Sequence, residues 1–429
     1  MRSTIAGKAS PVFAAADAEH VGNGAWVALP DNPREVPEGR WTAIFVNDLT
    51  AVSSWARAAR GAGRTWLPLR WREGVLAAGP LFPHDQAGCL TCLQYRENQL
   101  DGRLVRWPVS IAQFESVWPH VTDFLDRQGP RSRIIDLFDG GGSLGMSNYL
   151  APWPECPDCG SGVPAPRQPV VRRGLSVAAL DGGWRVTEPG ATLRSIERHV
   201  GALCGQAGWL RARKLTGWPR ETWLAAAPAP HPEEQPRIFR GYGGTPEQAM
   251  ISALGRVFER IMTCGGMPPI VNAGVWVEEA LLQALCHRAA EQVVRDPAGS
   301  PVVWETASSD FDGWQIEKGC WEERLFFARA IRADREQVVV YPQASIVDCR
   351  LERLLWDADH GEAAVDDRAT RWLGLHEIGG NRPLPAVFDV GLIDDAIDAL
   401  GEWFEEAGSP VVWQDVSRPD IPLAMARVE

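Results

Sequence analysis

Apolar residues recur with helical spacing through residues 246–261, where Met250, Leu254, Val257, Phe258 and Ile261 fall on one stripe. Both ends of this helix are marked. Thr245 and Gln248 have capping-box spacing, Pro246 stands at the first helical position where no amide donor is needed, and Gly265-Gly266 offers a left-handed stop. Ser252, Arg256 and Glu259 share a second face at i, i+4 and i+7, which is where chemistry would sit. The same periodicity predicts a helix over 278–294, with Leu281, Leu282, Leu285, Ala289 and Val293 inward and a stop at Pro297 and Gly299. Further helices are expected from Thr192 and over 392–408.

Short apolar runs alternate with these helices. Residues 41–46 (WTAIFV) read as a buried strand, 51–60 as a helix ending at Gly-Ala-Gly, and 65–70 as a second strand. A parallel, right-handed crossover is the simplest arrangement of that unit. Residues 411–420 read as a buried strand and 225–236 as a loop. The stretch 161–169 has the Pro, Gly and polar content of a linker, dividing the chain into 1–160, 161–169 and 170–429. The fold class is therefore α/β, with two domains.

Composition narrows the function. The 429 residues are 45% apolar and 23% charged, ordinary values for a globular chain with full cores. A formal charge of −12 argues against a nucleic-acid or anionic-membrane surface and favours a peptide or protein partner. No apolar run reaches membrane-spanning length and residues 1–20 lack the apolar core of a signal peptide, so a cytoplasmic location is expected. The 20 tryptophans against 4 tyrosines are read as hydrophobic mass, without functional weight.

Four of the nine cysteines form two Cys-x-x-Cys pairs, Cys89 with Cys92 and Cys156 with Cys159. Each pair places two thiolates on one side of a tight loop, and together they complete a tetrahedron with no open position, so structural zinc is expected. Free thiols or a single redox pair are the competing reading. His84 is read as a loop residue and Cys286 as a core thiol beside a surface His287, since adjacent helical residues point about 100° apart. Between the pairs, Gly140 to Gly145 follow a strand in a formal dinucleotide-binding pattern. No helix follows to receive a pyrophosphate, so a glycine-rich hairpin turn is expected instead.

The run from Gly241 to Arg260 resembles the signature of the YcaO family, ATP-dependent enzymes that activate a peptide amide oxygen by phosphorylation, many of them cyclising Cys, Ser or Thr to azolines. The resemblance implies that Ser252, Glu259 and Arg260 are the remnant of a nucleotide site. It also marks departures: Tyr242 stands where a lysine is expected and Arg256 where the first metal-side glutamate belongs. On the following helix the family's glutamate pair falls on His287 and Ala290, its arginine on Glu291, and the preceding asparagine on Val275. The segment from Gly74 to Leu93 is similar to the ThiF-like half of azole-forming cyclodehydratases, a relative of ubiquitin-activating enzymes that helps present the precursor peptide. The implied architecture is a partial ThiF-like α/β domain with zinc knuckles, followed by a YcaO-like α/β domain.

A magnesium-nucleotide site needs several carboxylates for charge neutralisation and oxygen ligation. At about 5 Å and an effective dielectric near ~20, replacing a carboxylate by Arg256 disfavours a divalent ion by several kcal/mol. Magnesium and ATP in the family manner are therefore not expected. Arg256 either joins Glu259 in an ion-pair network or grips a phosphate directly. The leading expectation is a non-catalytic subunit of a thiazole- or oxazole-forming complex, working with precursor peptide, other complex subunits or a second copy of itself. The alternative is an active ATP-dependent cyclodehydratase.

Overall fold

The structure is a computed structural model describing residues 12–15, 27–28, 32–35, 41–46, 49–72, 75–82, 88–99, 119–120, 123, 134–139, 142–143, 148–150, 156–159, 168, 170–177, 179–180, 184–201, 205–215, 222–229, 237–263, 271–311, 313–333, 335–360, 373–374, 392–417 and 424–428. The chain divides into two compact units. The first comprises Met1–Gly162, Arg198–Gly208 and Ala229–Arg237, and the second Val163–Glu197, Trp209–Pro228 and Ile238–Glu429.

The first unit is built on a sheet of eight described strands: β1 (Val12–Ala15), β2 (Val27–Ala28), β3 (Trp41–Phe45), β4 (Thr65–Arg72), β5 (Val75–Ala78), β6 (Ile134–Asp139), β7 (Gly142–Ser143) and β8 (Asn148–Tyr149). Their order is β2-β1-β3-β4-β5-β6-β7, with β8 also on β6. The pairs from β2 to β4 are parallel and those from β4 onward antiparallel. Consecutive Ala43 and Ile44 are both fully buried, as a parallel strand covered on two faces requires. The crossover between β3 and β4 carries helix α1 (Ser53–Gly61), whose Trp55, Ala56 and Ala59 face inward. Gly63 follows at φ +65°, so the Gly-Ala-Gly stop works as the sequence indicates. β6 and β7 pair antiparallel through Asp139 and Gly142; Gly140 and Gly141, where the hairpin turn is expected, lie outside the described residues. Helix α2 (Leu90–Gln99) starts within the first cysteine pair, where the sequence reading expected a loop; Leu93 N–H bonds Cys89 O at 3.1 Å.

In the second unit, strands β9 (Ala179–Leu180) and β10 (Trp184–Arg185) precede helix α3 (Pro189–Ile196), whose Pro189 starts it three residues before Thr192. Next come β11 (Arg211–Lys214), β12 (Trp223–Ala229), β13 (Arg237–Gly243), helix α4 (Pro246–Thr263), β14 (Val271–Gly274) and helix α5 (Val277–Arg295). An antiparallel meander of β15 (Val303–Phe311), β16 (Trp314–Trp321), β17 (Leu325–Arg332) and β18 (Arg335–Tyr341) leads to helix α6 (Ala344–His360). The chain continues through β19 (Leu373–Gly374), helix α7 (Ile393–Glu406), β20 (Trp413–Asp415) and β21 (Ala424–Val428). Sheet orders are β13-β12-β11-β19, β14-β21-β20 and β15-β16-β17-β18. Helix α5 packs on β14, β21, β18 and α7 around a core that includes Leu281, Leu285, Phe327, Leu400 and Trp403.

Three local expectations change. Residues 225–229 extend a strand instead of opening a loop, because the small, buried Ala225, Ala226 and Ala227 fit a crowded sheet interior. Among the described residues the strand expected over 411–420 covers Trp413–Asp415 and is half-buried, because it is the edge strand beside β21. The central, buried strand there is Ala424–Val428, which the sequence reading passed over. The Gly265-Gly266 stop and His84 lie outside the described residues. Among the described residues, no helix is long and apolar enough to cross a membrane.

Candidate functional sites: a thiolate cluster and an arginine-lined cleft

In the first unit, Cys89 stands just before α2, Cys92 lies in its first turn, and Cys156 and Cys159 flank a tight turn. The four Sγ atoms all lie within 4.8 Å of one another. Sγ separations are 3.9 Å for Cys89–Cys92, 3.4 Å for Cys89–Cys156 and 3.6 Å for Cys92–Cys159. A tetrahedral zinc with bonds of about 2.3 Å has ligand edges of about 3.8 Å. The donor set therefore fits a closed tetrathiolate ion. The turn is held in register independently of any metal: Thr91 Oγ1 donates to Asp158 Oδ2, and Arg60 donates to Asp158 O at 3.1 Å. Ile135, Leu150 and Leu93 pack in the same core and keep water from the sulfurs.

In the second unit a cleft of about 730 Å³ opens among α4, α5, α6, β10, β14 and β18. Helix α4 carries its polar face there because its start is fixed. Thr245 N–H donates to Gln248 Oε1 at 3.1 Å and Gln248 N–H to Thr245 Oγ1 at 3.3 Å, a closed capping box. Met250, Leu254, Val257, Phe258 and Ile261 are all buried on the opposite stripe. Strand β13 ends against the helix backbone: a Cβ at Gly241 would stand 2.1 Å from Ala253 N, and one at Gly243 2.4 Å from Ala249 N. Tyr242, between those glycines, is buried and lines the cleft.

Ser252, Glu259 and Arg260 all line this cleft, as does Arg256, so the face read from the sequence is brought to one place. Val275, His287 and Ala290 line it too. Glu259 accepts a hydrogen bond from Ala273 N–H at 3.1 Å. Desolvation raises its carboxyl pKa; that hydrogen bond and the nearby Arg256 and Arg185 charges oppose the rise. The expected ion-pair network of Arg256 with Glu259 does not form. Among the described residues Arg256 closes no salt bridge, and it acts on Glu259 only as a neighbouring charge. The carboxylates that open α5 serve the fold instead. Buried Glu278 accepts Arg172 N–H at 2.7 Å, and buried Glu279 accepts Val186 N–H at 2.5 Å and Val275 N–H at 2.8 Å.

Sequence reasoning missed Arg185, Asn272, Gln283 and Arg350, which also line the cleft. Arg350 Nη2 donates to Gln283 Oε1, and its guanidinium lies 4.3 Å over the Tyr341 ring. These four sit on elements far apart in sequence, so no local spacing marks them. A helical pattern through Ile346, Val347, Leu351 and Leu355 could have placed α6, and with it Arg350. Cys286 is buried, its thiol pushed up to about 12 by desolvation, and neighbouring His287 points to the exposed side. They do not form a nucleophile and base pair.

Among the described residues the lining contains four arginines and one carboxylate, Glu259. Such a set offers too few oxygens for magnesium bound with a polyphosphate, so the residues present do not fit that cofactor.

No protein-family model matches the chain, and no curated protein matches it significantly. Solved structures do. A heterocyclase in complex with substrate and cofactor aligns over 90% of this chain and 76% of its own, at 14% identity and TM-score 0.50. The heterocyclase TruD aligns over 97% and 78%, at 13% identity and TM-score 0.43. YcaO from Methanopyrus kandleri, bound with AMPPCP and Mg2+, aligns over 60% and 94%, at 15% identity and TM-score 0.40. The chain has an α/β fold shared with a heterocyclase.

Proposed function

We propose that the protein is a non-catalytic, YcaO-like subunit of a complex that forms thiazole or oxazole rings in a ribosomal peptide. Its ThiF-like first unit, tied by zinc on Cys89, Cys92, Cys156 and Cys159, would scaffold a catalytic partner or help hold the precursor peptide. The observation that carries the reading is the cleft lining, where the positions expected to hold metal-side carboxylates are Arg256, His287 and Ala290. A guanidinium there repels a divalent ion. The fold shared with a heterocyclase supplies the context.

The second reading, an active ATP-dependent cyclodehydratase, is favoured by Ser252, Glu259 and Arg260 lining the same cleft. Titrating the purified chain with ATP at fixed magnesium, with and without candidate precursor peptide, separates the two. The non-catalytic reading predicts no magnesium-dependent nucleotide binding and no ADP release. Micromolar binding that requires magnesium, or ADP release stimulated by peptide, overturns it.

A further inference from the structure

Two helices outside the cleft carry exposed faces of opposite sign. In the first unit, α1 turns Arg57 and Arg60 to solvent at i and i+3, neighbours on the helix surface, and the turn Pro33–Glu35 that packs on α1 adds exposed Arg34. Arg64 donates to Arg34 O at 3.4 Å, which ties that turn to the end of α1. Arg60 donates to the carbonyl of Asp158 at 3.1 Å, while the Asp158 carboxylate is taken by Thr91. Among the described residues Arg34, Arg57 and Arg60 close no salt bridge, so their charges face water.

In the second unit, α7 exposes Asp395, Asp398, Glu402 and Glu405. Their spacing by three, four and three residues puts all four on one stripe about 15 Å long, because Ile397, Leu400, Trp403 and Phe404 hold the opposite face in the core. Arg173 donates to Asp398 and Arg324 to Glu402, both at the exposed surface. Asp395 and Glu405 close no salt bridge among the described residues, and neighbouring Glu406 accepts the Trp321 indole N–H at 2.8 Å. Carboxylates therefore outnumber guanidiniums along this face.

A chain of formal charge −12 repels its own copies, so copies meet where a patch of the opposite sign is presented. The α1 arginines are such a patch, and the α7 stripe complements them in sign and in helical spacing. One exposed ion pair is worth little, whereas a row of charges facing a row sets register and partner. We infer that α1 of one copy docks on α7 of a second copy of this chain. Each copy carries both faces, so a two-fold axis makes two equal contacts and closes a dimer. This assembly does not rest on the functional reading above and holds whether or not the chain turns over nucleotide.

The test is sedimentation velocity of the whole 429-residue chain over a concentration series at low and high salt. A dimer is expected at low ionic strength, with a dissociation constant that rises as salt screens the facing charges. Arg34→Glu with Arg57→Glu reverses one face without touching an internal side-chain contact, and Asp395→Arg with Glu405→Arg reverses the other. Each double variant should dimerise at least about tenfold more weakly, because like charges then oppose at both contacts. An equimolar mixture of the two should regain a dimer close to the parent in strength, since one contact is then native and the other is swapped in sign. Thermal melts of both variants confirm that the fold is kept. A monomer at every concentration in low salt overturns the inference and leaves the arginine face to an acidic partner chain. A dimer insensitive to both double variants, or a mixture that stays monomeric, overturns the assignment of the faces.

Discussion

Replacing Cys156 by alanine should remove the metal and loosen the first unit. Cys89 and Cys156 are 67 positions apart, with Sγ atoms at 3.4 Å, so a shared ion closes a long loop. In the chain-entropy treatment of cross-links, a loop of that length loses about 4 kcal/mol of unfolded-state freedom on closure. A domain is stable by only about 5–15 kcal/mol, so this one constraint is a large share of the whole. For a unit of this size, a loss of about 4 kcal/mol lowers the melting temperature by roughly 8–16 °C. Thr91, Asp158 and Arg60 hold the turn without the metal, so the fall should be partial, leaving a lower transition instead of none. The assay pairs elemental analysis with calorimetry. Protein prepared with zinc should contain about one ion per chain, and Cys156→Ala should contain little and melt lower. Chelator added to the unsubstituted protein should reproduce the shift. A metal-poor preparation with an unchanged melt, or loss of two mass units from a Cys pair on mild oxidation with retained stability, would refute the reasoning in favour of free thiols or a redox pair.

Two smaller perturbations test the cleft helix. Glu259 has a raised carboxyl pKa in the folded state, so the folded protein binds more protons there than the unfolded one, and stability falls as pH rises from about 4.5 through the raised value. Glu259→Gln keeps an acceptor for Ala273 N–H and removes the titration. Its melting temperature should match the parent below about pH 4.5 and exceed it progressively above, and a constant or reversed difference would contradict the assignment. Thr245→Ala opens the capping box and should cost about 1 kcal/mol, with Thr245→Ser close to neutral, as read from denaturant midpoints.

What was legible in the sequence was the information stored locally. The capping box at Thr245 and Gln248, the buried stripe of α4, the inward face of α5 and the parallel β3–α1–β4 crossover depend on spacings of two to four residues or on a short connection. The cysteine pairs were readable because each Cys-x-x-Cys is itself a local motif and only the joining of two such motifs is long-range. The meander β15–β18 was not read, because its strands mix small, charged and aromatic residues and its order is set by pairing across turns. The cleft was half visible for the same reason. Its α4 face follows from one helix, whereas Arg185, Asn272 and Arg350 arrive from three separate elements through tertiary packing.

The resemblance carried by residues 241–260 separates into two physically distinct parts. Gly241 and Gly243 are needed because a Cβ at either would strike the backbone of α4, and Thr245, Pro246 and Gln248 start that helix. Those residues would be required by any chain that brings this strand against this helix, whatever the cleft contains. Tyr242 and Arg256 lie among them and are tied by neither constraint: one is buried in the cleft wall, and the other is exposed and closes no salt bridge among the described residues. The strand-to-helix scaffold and the charge of the cleft can therefore change independently. A lining with Arg256 in place of a carboxylate is compatible with an intact fold because Arg256 and Ser252 lie outside the buried stripe of α4.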